Sequence, residues 1–152
     1  APEIRGISEA LGYSHGTGAR PVTSEQRATL LEAARKVSRH AHAPYSGYHV
    51  GAALLTRSGA VFTGCNVENA SYGATLCAER AAIASMIAAG DREVVSVLVF
   101  TEKGPPAMPC GICRQTLVEF ATPDCSVYVA TGTDQLETTL GALLPEPFVF
   151  RK

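Results

Sequence analysis

The sequence predicts an α/β sandwich in which helices cover one mixed sheet. Two observations carry this expectation. A hairpin pattern over 50–64 is followed by helix, strand, helix and strand in alternation. The run Val94 to Phe100 is continuously apolar and rich in β-branched residues, as a strand buried on both faces should be. At 152 residues the chain reads as one domain of ordinary size, able to bury a core without disulfides or a structural metal.

Each element has a local reason. Residues 1–22 hold a Gly-rich stretch, Gly12 to Gly18, ending at Pro21, and show no sustained period, so they read as an N-terminal extension to a catalytic unit over 23–152. Thr23-Ser24-Glu25-Gln26 offers a capping box, and Leu30, Ala33, Ala34 and Val37 follow at helical spacing. Basic residues, Arg35 to His40, close that helix before Pro44. Val50–Thr56 and Val61–Gly64 flank a Ser58-Gly59 turn as two strands of a hairpin. Cys77 opens a second helix through Ile83 and Met86, closed by Gly90. After the strand at 94–100, Cys110 opens a third helix through Leu117 and Phe120, stopped by Pro123. Ser126–Ala130 reads as a further strand, and Thr138–Leu144 as a short helix before Pro145.

Composition narrows the function. A formal net charge of −1 gives no broad basic surface to track a phosphate backbone, so a nucleic-acid partner is disfavoured. The longest small-apolar stretch, Ala81 to Ala89, is less than half the roughly 20 residues that span a membrane. No secretory pattern opens the chain, and five cysteines, an odd number, suit a metal protein better than a disulfide scaffold. A cytoplasmic location is expected. Cys65 and Cys125 read as small buried apolar residues.

The chemistry lies in a split cysteine set, Cys77-Ala78-Glu79 and Pro109-Cys110-Gly111-Ile112-Cys113. Cys77 and Cys110 each stand at a predicted helix start, where free amides and the helix dipole favour thiolate. Cys113, three residues after Cys110, shares its helical face and can bind the same ion. Glu79 lies on a different face from Cys77 and is placed to look past the metal at an open coordination position. A zinc-bound water has its pKa lowered towards about 7, and Glu79 could take its proton. Three thiolates leave a divalent ion with a surplus negative charge, so a nearby cation should offset it: Arg80 first, Arg114 second, by hydrogen bonds to sulfur. Alone, Cys110 and Cys113 would equally serve as a redox pair or as part of a structural zinc site. The Cys-Ala-Glu element and the proline before Cys110 favour catalytic zinc. No fourth ligand of comparable placement appears, since His40, His42 and His49 precede the hairpin and His15 lies in the extension.

Over about residues 25–150 the chain resembles the small homotetrameric zinc-dependent cytidine deaminases. The resemblance rests on Ala43-Pro44-Tyr45-Ser46, Val50 to Leu54, Gly64-Cys65-Asn66-Val67-Glu68-Asn69-Ala70-Ser71-Tyr72-Gly73, Cys77-Ala78-Glu79-Arg80, Pro109 to Gln115, and Leu143 to Phe148. It implies a three-layer sandwich around one mixed five-stranded sheet, one Zn2+ per subunit on Cys77, Cys110 and Cys113, and conversion of cytidine and 2′-deoxycytidine to the uridines in pyrimidine salvage. Glu79 would protonate N3 of the base and carry a proton to the departing amine. Asn66 and Glu68 would hold the sugar 3′-hydroxyl, and the backbone at Ala78 the pyrimidine carbonyl. Tyr48 and Val50 would line the substrate site, with Ala70 and Tyr72 reaching it from an adjacent subunit and Phe148 stacking on the base across a subunit boundary. Tyr48 stands where the family usually has Phe, and its hydroxyl needs a partner. Rival readings are a deaminase of a related aminopyrimidine nucleoside or nucleoside antibiotic, a polynucleotide cytosine deaminase, and a zinc-stabilised nucleoside-binding protein without turnover. Asn66-Val67-Glu68-Asn69 favours a free nucleoside over a polynucleotide, and retention of Glu79 argues for turnover.

Overall fold

The computed structural model describes residues 22–150; the predicted extension lies almost wholly outside them. Helix α1 (Ser24–Ser38) begins as its sequence dictates: Thr23 accepts from the Gln26 amide while the Gln26 side chain accepts from the Thr23 amide. The hairpin strands β1 (Val50–Thr56) and β2 (Val61–Cys65) follow, then α2 (Ala78–Ala88), β3 (Val94–Thr101), α3 (Gly111–Val118), β4 (Ala121–Ala130), β5 (Gln135–Thr139) and the single turn α4 (Leu140–Leu143).

One sheet runs in the order β2-β1-β3-β4-β5. Only β3 and β4 are parallel, joined by the crossover through α3, so the sheet is mixed. Its two faces bury separate apolar clusters. On one, Leu30 and Ala34 of α1 pack over Ala53, Leu55, Leu98 and Phe100. On the other, Ala78, Ala82, Ile83 and Met86 of α2 and Leu117 of α3 pack over Ala52, Leu54, Val97 and Val99. The helices therefore form outer layers about a central sheet, the three-layer arrangement expected. β1 is buried along its whole length because it is covered from both sides.

Two glycines set how closely the layers approach. A Cβ on Gly51 would lie 2.0 Å from the Ala34 carbonyl oxygen of α1, and one on Gly64 would lie 2.3 Å from the Ala82 nitrogen of α2. Backbone rests on backbone at both points. The second contact seats α2, and with it the segment from Cys77 to Arg80, against the hairpin.

Two boundaries differ from the sequence reading. The third helix ends at Val118, and Pro123 lies inside β4, between the Val94–Ala121 and Ser96–Ser126 pairs where the ladder with β3 is irregular. A proline lacks the amide a regular ladder needs and is tolerated there for that reason. The residue patterns also marked no strand at 135–139. Gln-Leu-Glu-Thr-Thr is an edge strand with mostly exposed side chains, so it shows no buried alternation. Thr138 belongs to that strand, and Thr139 caps the last turn by accepting from the Ala142 amide.

Candidate active site

Helices α2 and α3 begin side by side on the same sheet face, each with a cysteine at its N-cap. Cys77 and Cys110 have extended backbone there, and neither sulfur accepts a capping hydrogen bond from a backbone amide of its own helix. Both sulfurs are left to face each other. Cys77 Sγ lies 3.9 Å from Cys110 Sγ, which lies 3.5 Å from Cys113 Sγ in the first turn of α3. All three fall within 4.8 Å of one another. Zinc–sulfur bonds of about 2.3 Å at tetrahedral angles require sulfurs about 3.8 Å apart, so the triad fits one zinc ion on three sides. Among the described residues no further His, Cys, Asp or Glu joins the cluster, which leaves a fourth position for water or substrate. His15 lies outside the described residues. All five cysteines are free.

Without a metal, the triad's electrostatics place its negative charge on Cys77. Donation from the Cys113 thiol, with Arg80 and Cys110 assisting, pulls the Cys77 thiol down to about 5. Cys113 is held far above the usual thiol range by its hydrogen bond with Cys77 and by burial. Arg80 donates from Nη2 to the Thr75 carbonyl at 2.8 Å and lies 4.0 Å from Cys77 Sγ, the position expected of the charge-balancing cation. Arg114 does not share that duty. Its Nε donates to the Pro109 carbonyl at 2.7 Å and its Nη1 to that of Leu143 at 2.9 Å, so it ties the turn before Cys110 to the C-terminal segment.

Glu79, in the first turn of α2, is 4% exposed. Burial is the largest influence on its carboxyl and raises it to about 7, with the Cys77 charge adding to the rise. A group poised near neutrality can both accept and return a proton. Ala78, 1% exposed, precedes it with its amide at a helix start.

Asn66 and Glu68 follow β2 and tie down the segment that enters β1. Asn66 Nδ2 donates to the Tyr48 carbonyl at 2.8 Å, and its Oδ1 accepts from the Val50 amide at 2.9 Å. Glu68 accepts from the amides of Tyr45 at 2.9 Å and Ser46 at 3.2 Å and from the Ser46 hydroxyl. Those bonds, the hydroxyl first, hold its carboxyl below the usual range. Tyr48 satisfies its extra hydroxyl by donating to the Pro105 carbonyl at 2.6 Å. Val50 is buried at the start of β1.

Ala70, Tyr72 and Phe148 stand apart from this assembly on the surface: Tyr72 is 77% and Phe148 72% exposed, and Ala70 is exposed. Tyr72 meets Tyr45 edge to face at 6.2 Å. The backbone of Phe148 is clamped by Gln115, whose Nε2 donates to its carbonyl at 2.7 Å and whose Oε1 accepts from its amide at 3.1 Å. No role for Gln115 follows from sequence spacing, because a helix-to-terminus clamp leaves no periodic trace.

A three-sided thiolate site with a buried carboxylate beside its open position defines a zinc-dependent hydrolytic enzyme. The family model for the cytidine and deoxycytidylate deaminase zinc-binding region matches residues 24–129. The chain is 42% identical over 123 residues to a cytidine deaminase from Halalkalibacterium halodurans, covering 80% of this chain and 93% of the relative. A probable cytidine deaminase from Dictyostelium discoideum is 43% identical over 128 residues, 84% of this chain and 86% of the relative. The crystal structure of cytidine deaminase from Burkholderia pseudomallei superposes with a TM-score of 0.75 at 46% identity, covering 80% of this chain and 98% of that one. The chain belongs to the cytidine and deoxycytidylate deaminase family and carries its zinc-binding region.

Proposed function

We propose that this protein catalyses the hydrolytic deamination of cytidine and 2′-deoxycytidine to uridine and 2′-deoxyuridine, releasing ammonia. The observation that carries the proposal is the juxtaposition of the Cys77, Cys110 and Cys113 sulfurs with the buried, proton-ready Glu79. Cys77, Cys110 and Cys113 would hold one zinc ion, which when bound supplies Lewis-acid activation of water at neutral pH. Glu79 accepts the proton that water releases and delivers it to N3 of the base as the hydroxyl adds to C4. It then takes the proton of that C4 hydroxyl and passes it to the amine, which leaves as ammonia while the C4 carbonyl forms. Arg80 offsets the surplus charge of the three thiolates.

Substrate contacts extend this reading to individual residues. The Ala78 amide binds the pyrimidine carbonyl, while Asn66 and Glu68 hold the sugar hydroxyl, with Tyr48 and Val50 lining the same side. Their hydrogen bonds to the 45–50 segment fix both side chains before substrate arrives, which lowers the ordering cost of binding. Ala70, Tyr72 and Phe148 complete a neighbouring subunit's site in a homotetramer. Support for that assignment is the exposure of two large aromatic side chains on a chain with a well-formed core. Residues 23–152 form the catalytic unit, acting in pyrimidine salvage in the cytoplasm, where zinc-ready thiols stay reduced. Among the described residues no helix is long and apolar enough to cross a membrane.

The deciding experiment follows the ultraviolet spectrum of cytidine over time with zinc-loaded protein, against Glu79→Ala as control. The wild type should produce uridine, and the variant should keep its zinc and fold while losing at least about 10²-fold to 10⁴-fold in turnover. Undiminished turnover by the variant would remove Glu79 from its role. No conversion by the zinc-loaded wild type would overturn the substrate assignment. Sedimentation combined with activity on dilution tests the shared site, and a fully active monomer would exclude it.

A further inference from the structure

Behind the segment that carries Tyr48, on the opposite side from the cysteine triad's helices, lies a half-open cleft of about 630 Å³. Three elements wall it: the end of α1 with Arg35, Ser38 and Arg39, the segment with Gly47 and His49, and the end of β3 with Thr101, Glu102 and Lys103. Three cations, Arg35, Arg39 and Lys103, thus share the walls with one carboxylate, Glu102. The volume lies within the range of about 300–1,000 Å³ typical of small-molecule sites.

The cations are not needed to finish the helix. At the end of α1 the Arg35 carbonyl accepts from the Ser38 hydroxyl at 2.8 Å, the Val37 carbonyl from the His40 amide at 3.0 Å, and the Ser38 carbonyl from the Ala41 amide at 3.2 Å. Glu102 answers only one of them. Its carboxylate forms an ion pair with Arg35 at 3.6 Å from Nε, too long for a hydrogen bond, so Arg35 Nε has no hydrogen-bond partner. Among the described residues Arg39 and Lys103 enter no ion pair. The Arg35 guanidinium rests on the Phe100 ring, 5.6 Å from its centroid, which fixes its place in the wall. Arg27 and Arg80 carry a buried, unpartnered Nε as well, so what marks the cleft is that Arg35 shares its wall with the unpaired Arg39 and Lys103.

We propose that this cleft binds a phosphate-rich anion, a polyphosphate chain or the triphosphate of a nucleotide. Guanidinium groups bind phosphate oxygens in paired, planar fashion, and Lys103 and His49 can reach the same anion from the facing walls. A monovalent carboxylate ligand would leave most of this charge unanswered; a chain of phosphates matches several cations at once. The site is independent of the cytidine reading, and either can fail alone.

Isothermal calorimetry on the zinc-loaded enzyme tests it, with inorganic tripolyphosphate and adenosine triphosphate as probes at low salt, about 50 mM, where such contacts are least screened. The comparison protein is Arg39→Gln/Lys103→Gln, since both side chains are exposed and their loss should spare the fold and basal cytidine turnover. One probe should bind per chain, at least tenfold more weakly in the double variant. Heat from zinc extraction by the probe would be common to both proteins and cancels in the comparison. Equal affinities for the two probes would assign the site to the phosphate chain, and tighter adenosine triphosphate binding to a nucleotide; both uphold it. No binding by the wild type at millimolar probe, or binding unchanged in the double variant, overturns it.

Discussion

Replacing Gly64 by alanine tests whether the contact between hairpin and helix positions the chemistry. The added Cβ would sit 2.3 Å from the Ala82 nitrogen, 2.5 Å from the Ala78 oxygen and 2.7 Å from the Ala81 carbonyl carbon, all backbone atoms that no rotamer change can move. Ordinary contact begins near 3.4 Å, so β2 and α2 must separate by about 1 Å. Overpacking of this kind costs about 1–3 kcal/mol, and a chain of this size loses about 2–4 °C of Tm per kcal/mol, so the melting point should fall by about 2–12 °C. Activity should fall further than stability. If α2 yields, Glu79 moves; if the edge strand β2 yields, Asn66 and Glu68 move. A misplacement of about 1 Å can cost about 10²-fold in rate. The assay is steady-state cytidine deamination beside a thermal melt and a zinc measurement. A variant with full zinc, kcat/KM within about threefold of wild type and an unchanged Tm would refute the claim that this contact sets the site.

Three further perturbations probe other links. Tyr48→Phe removes the donor to the Pro105 carbonyl and should cost about 0.5–1.5 kcal/mol in a melt. It should leave kcat within about threefold; a tenfold loss would instead put the hydroxyl at the substrate. Asp91 is held down to about 2 by the Ser58 and Thr56 hydroxyls, below its unfolded value of about 3.9. Its contribution is therefore present above that unfolded value and lost as pH falls towards about 2, and Asp91→Asn should flatten this part of the stability profile of zinc-free protein. Cys110→Ser should change sign with metal. In chelator the serine caps α3 and raises stability by about 0.5–1 kcal/mol, whereas in excess zinc the lost ligand lowers it, and melts showing the same sign in both conditions would discard the capping argument.

What the sequence disclosed follows from which interactions are local. Thr23 and Gln26 announce α1 because a capping box needs only three residues' spacing, and β3 announces itself because burial on both faces forces an unbroken apolar run. The zinc triad was legible for a similar reason: two ligands lie three residues apart, and both cysteine groups open helices. Long-range clamps were not. Arg114 reads as a cation beside a cysteine pair, yet the carbonyls of Pro109 and Leu143 occupy it, and the second of these lies far along the chain. β5 was missed among the residue patterns because an exposed edge strand needs polar residues, and those write no period.

The zinc site occupies the places where this chain departs from good helix design. Helix α1 is capped by Thr23 and the last turn by Thr139, each accepting an amide hydrogen bond. Helices α2 and α3 forgo such a bond, since Cys77 and Cys110 stand at their N-caps, and each forgone cap costs about 0.5–2 kcal/mol. Beside them a carboxylate is buried at 4% exposure, against the tendency of Glu to stay in water. The two apolar clusters on opposite sheet faces supply the stability that lets the fold carry these costs. None of the three improves the metal-free protein, for serine would cap better and an apolar side chain would bury better. All three make sense together only if a divalent cation returns the lost stabilisation to the thiolates and gives the carboxylate a proton to move.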